Sequence, residues 1–208
     1  MSGHAWEIIG TIGAAVTTSI IGPIVFEHIK RKLFKDNGND IVKKDIYKNI
    51  VIVDDLGLIR EELDGDRIWI TQFHNGGHFL HTNKSIQKFS ITYEDTKPGV
   101  SSVIYLFKDI PLSLYCKAMT ELVTNNHIFI TNFYDETIDT FGLKQAAEAT
   151  GTMSSYIIAL YDVATNKCIG ALGIDYRNPK ELTDVEKIFL IDRANRLAGY
   201  LSVFLQSK

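Results

Sequence analysis

The stretch SYIIALYDVATNKCIGALGIDY, residues 155–176, decides the fold class. Both of its ends are rich in β-branched and aromatic residues, and the polar run Asp162–Lys167 between them predicts a turn. The stretch therefore predicts two antiparallel strands joined in a hairpin. The small residues Gly170, Ala171 and Gly173 in the second strand predict that another part of the chain packs closely against it.

The residues on either side of this hairpin predict further strands and helices. The predicted strands are 67–74, 89–94 and 127–133, and the predicted helices are 40–63, 112–124, 140–149 and 184–206. Asn75-Gly76-Gly77 is expected to end the first strand, and Thr183–Glu186 has the pattern of a capping box that opens the last helix. The run Ile50–Val53 would also suit a strand, but the charged residues around it favour a helix. Short connections leave little room for parallel crossovers, so the pattern predicts an α+β fold with an antiparallel sheet.

The composition is that of a globular protein. Of the 208 residues, 45% are hydrophobic and 23% are charged, which excludes a disordered chain, a collagen-like fibre and a disulfide-rich miniprotein. The net charge of −3 provides no basic surface field, so nucleic acid is not an expected partner. Cys116 and Cys168 lie far apart without a CxxC spacing, which favours core thiols over metal ligands.

The N-terminal segment Ile8–Phe26 contains no charged residue. As a helix it would span roughly 28 Å, close to the hydrocarbon thickness of a bilayer. Basic residues within 30–35 follow it, which predicts a single membrane span with the rest of the chain in the cytoplasm. The alternative is a hydrophobic helix buried in a protein assembly. The predicted organisation is a hydrophobic helix with its basic flank over 1–35, a linker over 36–39 and one domain over 40–208.

The element order, the stretch RIWITQFHNGG of residues 67–77, the 155–176 hairpin and the long last helix resemble a GAF domain over residues 40–206. RIWITQFHNGG, preceded by REELDGD, is similar to a subset of membrane-tethered GAF-like proteins of bacteria and their viruses. The resemblance implies a GAF-like antiparallel sheet flanked by helices, here preceded by the hydrophobic N-terminal helix.

Known activities of the GAF family can be compared with this sequence residue by residue. The cyclic-nucleotide signature is matched only by Asn83-Lys84-Ser85, without its acidic partners. The bilin-binding subgroups that this fold resembles use a cysteine that is usually followed by a histidine. In this chain Cys116 is followed by Lys117, so that motif is not matched. Methionine sulfoxide reductases of this family need clustered cysteines, which this chain lacks. The resemblance therefore assigns no cofactor and no enzymatic activity.

Two local clusters are candidates for chemistry. His74, His78 and His81 lie within eight residues, and imidazoles are common metal ligands. The intervening glycines break the helix that would align them, so no metal site is predicted. Glu94 and Asp95 are adjacent on a strand and point to opposite faces, so they cannot form a catalytic pair by themselves. No catalytic residue is assigned.

A ligand, if one binds, is expected where the first predicted strand meets the loop 76–88. The predicted ligand-binding residues are His74, Asn75, Tyr93, Glu94 and Tyr105. Strand ends that open onto glycine-containing loops allow side chains to converge on a small molecule. The alternative is that the aromatic rings fill a closed core and that His74 only holds the following turn.

The two long helices are expected to join copies of the chain. The apolar faces predicted for them are Ile46, Ile50, Val53, Leu56, Ile59 and Leu63 on helix 40–63, and Ile188, Ile191, Leu197, Leu201 and Phe204 on helix 184–206. Each helix carries more apolar surface than packing against one sheet can bury, which favours a homo-oligomer in which a second copy covers the remainder.

These observations favour a membrane-anchored GAF-like sensory or regulatory module that binds a small molecule or a partner protein without catalysis. The alternative is a structural or assembly protein, including one of viral origin, whose hydrophobic helix docks in a membrane or in a larger particle.

Overall fold

The computed structural model describes residues 41–206, and the predicted membrane span and linker lie outside this range. The helices are α1 (Ile41–Glu62), α2 (Cys116–Asn125), α3 (Lys144–Thr150) and α4 (Asp184–Gln206). The strands are β1 (Arg67–His78), β2 (Ser85–Thr96), β3 (Ile110–Pro111), β4 (His127–Ile130), β5 (Ser154–Tyr161) and β6 (Cys168–Tyr176), and a 3₁₀ helix over Leu112–Tyr115 precedes α2.

The strands form one sheet in the order β3-β2-β1-β6-β5-β4. Each neighbouring pair in it is antiparallel. The prediction of an α+β fold with an antiparallel sheet and flanking helices is confirmed for the described residues. Within residues 41–206, no helix is both long enough and apolar enough to cross a lipid bilayer.

The hairpin predicted from residues 155–176 is confirmed as β5 and β6. The predicted close approach to β6 is also confirmed. A Cβ atom added at Gly170 would overlap the backbone carbonyl oxygen of Thr71 on β1, and one added at Gly173 would overlap the indole ring of Trp69. The two glycines therefore allow β1 and its tryptophan to lie directly against β6.

The strand β1 does not end before Asn75-Gly76-Gly77 but continues to His78. A register shift between Asn75 and His78 accommodates Gly77, whose φ is 85°, while pairing with β2 resumes at His78 and Ser85. The glycines therefore produce a bulge rather than a strand end, because β2 continues to offer backbone partners beyond them.

Two other boundaries differ from the predicted ones for local reasons. The helix predicted to begin at 140 begins at Lys144, because Phe141 and Gly142 have φ values of 50° and 79° that an α-helix cannot contain. The strand predicted over 127–133 ends at Ile130. Just after it, the side chain of Asn132 accepts a hydrogen bond from the backbone N–H of Tyr134 and forms a turn.

The capping box at the start of α4 is confirmed. Glu186 accepts a hydrogen bond from the backbone N–H of Thr183 at 2.7 Å, and the Thr183 hydroxyl accepts one from the N–H of Glu186 at 3.3 Å. These bonds satisfy backbone groups that the first helical turn leaves unpaired.

The predicted apolar faces of α1 and α4 are confirmed only in part: Leu56 and Leu197 are fully buried as predicted, but other members of the two faces are exposed. In α1, Ile52 is fully buried, whereas Ile50 is 47% exposed. In α4, Leu190 is fully buried and Ile188 is 67% exposed. Apolar residues surround much of both helices, so periodicity alone could not select the face that packs on the sheet. Cys116, predicted to be a core thiol, is exposed at the first residue of α2.

The sheet separates two hydrophobic clusters. On one face, the buried residues Ile52, Leu56 and Ile59 of α1 and Leu190, Leu197 and Leu201 of α4 pack with Ile68, Ile70, Leu172 and Ile174 of the sheet. On the other face, Ala118 and Leu122 of α2 and Ala147 of α3 pack with Ile128, Ile157 and Ala171. The alternation of neighbouring strand residues between the two faces produces this division.

Gly170→Ala is expected to lower the free energy of unfolding by roughly 1–3 kcal/mol, because the added methyl group overlaps the Thr71 carbonyl. Gly199→Ala in α4 is the matched control, since no atom lies within 4 Å of the added methyl group. The control is expected to stabilise the helix by up to about 1 kcal/mol. Urea denaturation of the full-length chain in mild detergent measures both changes. A Gly170→Ala protein as stable as wild type would contradict the close approach of β1 and β6.

Candidate functional site

A cavity of about 100 Å³ lies on the face of the sheet that carries α2 and α3. Five strands form its floor, and α2, α3, the 3₁₀ helix and the loop after β2 form its walls. The strand residues that line it are Trp69, Thr71, Phe89, Ile91, Ile128, Ser155, Ile157, Ala171 and Asp175. The other lining residues are Val103, Phe107, Tyr115, Ala118, Met119, Leu122, Phe133, Leu143, Ala146, Ala147, Thr150 and Thr152.

Strand alternation determines which side chains reach the cavity. Ile68 and Ile70 of β1 are buried in the opposite cluster, so the residues between and after them, Trp69 and Thr71, face the cavity. Gly173 of β6 leaves room for the ring of Trp69 to lie across that strand. The cavity wall therefore contains a broad aromatic surface at the centre of the sheet.

The polar end of the cavity is organised by the carboxylate of Asp175 on β6, a residue only 8% exposed. Ser155 donates a hydrogen bond to Oδ1 at 2.7 Å, and Trp69 donates one from Nε1 to Oδ2 at 2.9 Å. Arg67 donates a third bond from Nη1 to Oδ2 at 3.3 Å. Side chains from β1, β5 and β6 therefore meet at one buried carboxylate.

Arg67 connects this carboxylate to a second one. Its Nε lies 3.3 Å from Oε1 of Glu94 on β2, and its Nη2 donates a hydrogen bond to the backbone carbonyl of Ser101 at 3.0 Å. Glu94 in turn accepts hydrogen bonds from the hydroxyl of Ser102 and the backbone N–H of Val103. The loop that carries Val103 into the cavity wall is thereby held to the central strands.

The lining of the cavity contains no basic side chain. Its lining contains Asp175 and the phenol of Tyr115 as ionisable groups and includes no lysine, arginine or histidine. Burial raises the pKa of Asp175 above the ordinary aspartate value, although the hydrogen bonds from Ser155 and Trp69 and the charge of Arg67 oppose this shift. Burial also raises the pKa of Tyr115. The site is therefore an apolar chamber with one desolvated carboxyl group at its end.

The five residues predicted to bind a ligand are not brought together, and none of them lines this cavity. Glu94 belongs to the buried network just described. Tyr93 packs against the cluster on the opposite face, and its hydroxyl donates a hydrogen bond to Oδ1 of Asn49 at 2.7 Å. Tyr105 is 88% exposed on the loop after β2.

His74 and Asn75 lie together at a separate open pocket of about 350 Å³, beside Lys167 and Cys168. Nε2 of His74 is hydrogen-bonded to the hydroxyl of Ser90 across the strand pair at 2.9 Å, and Gln87 donates a bond to Asn75 at 2.8 Å. These contacts join β1 to β2, and the structural alternative for His74 stays a prediction. Ligand binding by the five residues stays a prediction, but they do not form one site.

Trp69, Thr71, Ser155 and Asp175 form the part of the site that sequence reasoning missed. A signal was available, because alternation places Trp69 and Thr71 on the face opposite to Ile68, and Asp175 is an isolated charge in an apolar strand. Within the described range 41–206, no three histidine, cysteine or acidic side chains lie close enough to hold a metal ion.

Asp175→Asn is expected to remove a pH-dependent part of the stability. Because the pKa of Asp175 is raised, the folded chain holds this proton more tightly than the unfolded chain does. The resulting stabilisation is fully present below the ordinary value of 3.8 and is lost as the pH rises through the folded pKa. Urea unfolding of both proteins across this window is therefore expected to show the wild type losing stability relative to Asp175→Asn as the pH rises.

Comparison of the two proteins controls for other titrating groups. Hydrogen bonds lower the pKa of Asp64, Asp135, Asp162 and Glu186, and these groups give the opposite slope because their stabilisation is lost as the pH falls. They are present in both proteins, so their contribution cancels in the difference. Parallel stability curves would show that Asp175 has an ordinary pKa.

Known structures share this architecture. The phycocyanobilin-bound GAF domain from a cyanobacterial phytochrome superimposes with a TM-score of 0.61 at 15% identity, covering 80% of this chain and 92% of that one. The blue-light-absorbing form of the PixJ GAF domain of Thermosynechococcus elongatus has a TM-score of 0.58 at 12% identity, covering 81% and 91% of the two chains. A GAF domain/HD domain protein from Geobacter sulfurreducens has a TM-score of 0.53 at 17% identity, covering 76% and 94%.

Neither a protein-family model nor a curated protein matches the sequence. At these identities the structural likeness establishes the fold alone. It confirms the fold that the sequence resemblance implied: the described part of the chain has a GAF-like fold.

Proposed function

We propose that this protein is a sensory or regulatory module whose GAF-like domain binds a small molecule in the cavity beneath α2 and α3. The observation that carries the proposal is the cavity itself, an apolar chamber with the Asp175 carboxylate at one end. Apolar pockets with a few converging polar groups are the usual form of small-molecule sites. Two GAF domains of similar fold are described as phycocyanobilin-bound and phycoerythrobilin-bound, which supports a ligand-binding role for this architecture.

The proposed role involves binding without catalysis. A nucleophile needs an adjacent base, and the side chains that line the cavity include neither histidine nor cysteine. The one carboxylate that lines the cavity, Asp175, already accepts hydrogen bonds from Ser155, Trp69 and Arg67. This arrangement is suited to holding a polar group of a ligand in a fixed position.

The signal is proposed to leave through α1 and α4 to a second copy of the chain. Exposed apolar residues on α1 include Val53 and Leu58, at 40% and 64% exposure, and those on α4 include Val185 and Ile188, at 78% and 67%. Apolar surface of this kind is commonly buried between subunits. The mechanism requires ligand binding to change how the two copies pack.

The segment Ile8–Phe26 is proposed to anchor the protein as a single-pass membrane helix, with the GAF-like domain in the cytoplasm. The uncharged run is long enough to span a bilayer, and the basic residues after it agree with the positive-inside rule. The module would then sense a molecule at the cytoplasmic side of a membrane.

Native mass spectrometry of full-length protein purified gently in mild detergent is expected to show a retained small molecule and two copies of the chain. Ala147→Leu is expected to remove the small molecule, because Ala147 is a buried wall residue of the cavity and the larger side chain fills the space. Ala149→Leu is the matched control, since Ala149 lies on the same helix but is exposed. A wild-type protein that retains no small molecule but carries a stoichiometric macromolecular partner would instead support the structural or assembly role.

Deletion of residues 1–35 is expected to move the protein from the membrane pellet to the supernatant while the GAF-like domain remains folded. Removing the uncharged run eliminates the apolar surface proposed to hold the chain in lipid. Cell fractionation followed by circular dichroism of the deleted form measures both properties. Recovery of the full-length chain in the supernatant, without detergent or a partner, would rule out the anchor.

A further inference from the structure

We infer that the cavity takes a small ring compound that carries a hydroxyl or N–H donor and no negative charge, rather than a tetrapyrrole or a nucleotide. This inference rests on the proposed function and specifies the class of ligand. It is carried by three properties of the cavity: its volume, the charges near it and the acceptor position that Asp175 leaves open.

The volume limits the ligand to about one ring system. The cavity measures about 100 Å³. Engineered protein cavities of about 150 Å³ hold a benzene molecule, so this space is of the order of a single aromatic ring. A tetrapyrrole has four such rings and would require α2 and α3 to separate from the sheet. The aromatic walls, which include Trp69, Phe89 and Phe107, suit a flat molecule.

The charges near the cavity exclude an anion. No lysine or arginine lines it, and the carboxylate of Asp175 faces it. The nearest guanidinium described in this network, Arg67, is occupied by Asp175, Glu94 and the carbonyl of Ser101. A phosphate or carboxylate would therefore be desolvated without a counter-charge, which is a large free-energy cost. Nucleotides and acidic metabolites are excluded on this ground.

The open acceptor belongs to Asp175. A carboxylate offers about four acceptor positions, two on each oxygen. Oδ2 receives hydrogen bonds from Trp69 and Arg67, whereas Oδ1 receives one, from Ser155. One acceptor position on Oδ1 is left. A hydroxyl or N–H group of the ligand that donates to it would fill all four acceptor positions of the carboxylate. The inference therefore requires a donor on the ligand.

The threonine hydroxyls in the cavity are already engaged. Thr71 accepts a hydrogen bond from the backbone N–H of Ala171 at 3.2 Å, and the hydroxyls of Thr150 and Thr152 bond to each other at 2.8 Å. This leaves the carboxylate of Asp175, with the phenol of Tyr115, to meet the polar end of a ligand.

The test compares four probes by isothermal titration with the full-length chain in mild detergent. Phenol carries one ring and one donor, toluene has the same shape without the donor, benzoate adds a negative charge, and biliverdin is a tetrapyrrole. Phenol is expected to bind at least tenfold more tightly than toluene, and neither benzoate nor biliverdin is expected to bind. Asp175→Asn is expected to reduce the preference for phenol over toluene to less than about threefold.

The variants Ala147→Leu and Ala149→Leu assign the binding to the cavity. Ala147→Leu is expected to abolish phenol binding and Ala149→Leu to retain it, because only the first side chain enters the cavity. Phenol binding that survives Ala147→Leu would place the binding elsewhere and overturn the inference.

The outcomes separate this inference from the proposed function. Binding of benzoate or biliverdin that Ala147→Leu abolishes, or equal binding of toluene and phenol, would overturn the inference and leave the sensory role in place. If no probe binds but mass spectrometry shows a retained molecule, the chemical formula of that molecule tests the inference. A neutral or cationic ring compound with a hydrogen-bond donor supports the inference. An anion or a tetrapyrrole overturns it. If no probe binds and nothing is retained, both the inference and the proposed function fail.

Discussion

The buried guanidinium of Arg67 is the group on which the centre of this structure depends. Its side chain is 4% exposed and lies between Glu94 on β2 and Asp175 on β6, while its backbone belongs to β1. Removing one partner from a buried ion pair costs about 3–5 kcal/mol, because the remaining charge is left desolvated and uncompensated. The three central strands and the loop at Ser101 therefore share one electrostatic constraint. The same constraint fixes the carboxylate that forms the polar end of the cavity, so stability and binding chemistry depend on one network.

The sheet places the two surfaces that carry the proposed function back to back. The cavity with α2 and α3 lies on one face, and the cluster that joins α1 and α4 to the sheet lies on the other. Ile174 and Asp175 are consecutive residues of β6, yet the first is buried beneath the long helices and the second faces the cavity. A displacement of β6 at the cavity would therefore act directly on the packing of α1 and α4. This adjacency gives the proposed signal a short physical route from ligand to helices.

Features that depend on neighbouring residues could be predicted from the sequence. The hairpin of residues 155–176 requires only two strand-forming runs and the polar turn between them. The bonds between Thr183 and Glu186 form within one helical turn. Side-chain direction was harder to predict. Ile50 and Ile52 both suit the core by composition, and only the position of α1 on the sheet decides that Ile52 is the buried one.

The candidate site shows the same limit. Tyr93 and Glu94 are adjacent in sequence, but neighbouring residues on a strand point to opposite faces and cannot both meet one ligand. His74 and Asn75 lie together, but at a separate pocket. The sequence by itself determined the fold class, the order of the elements other than the short strand β3, and the cap of the last helix, because local hydrogen bonding and hydrophobic periodicity specify them. Tertiary structure alone decided which helix faces are buried and where the cavity lies. Arg67 and Asp175 are 108 positions apart, and only the pairing of β1 with β6 brings the guanidinium to the carboxylate.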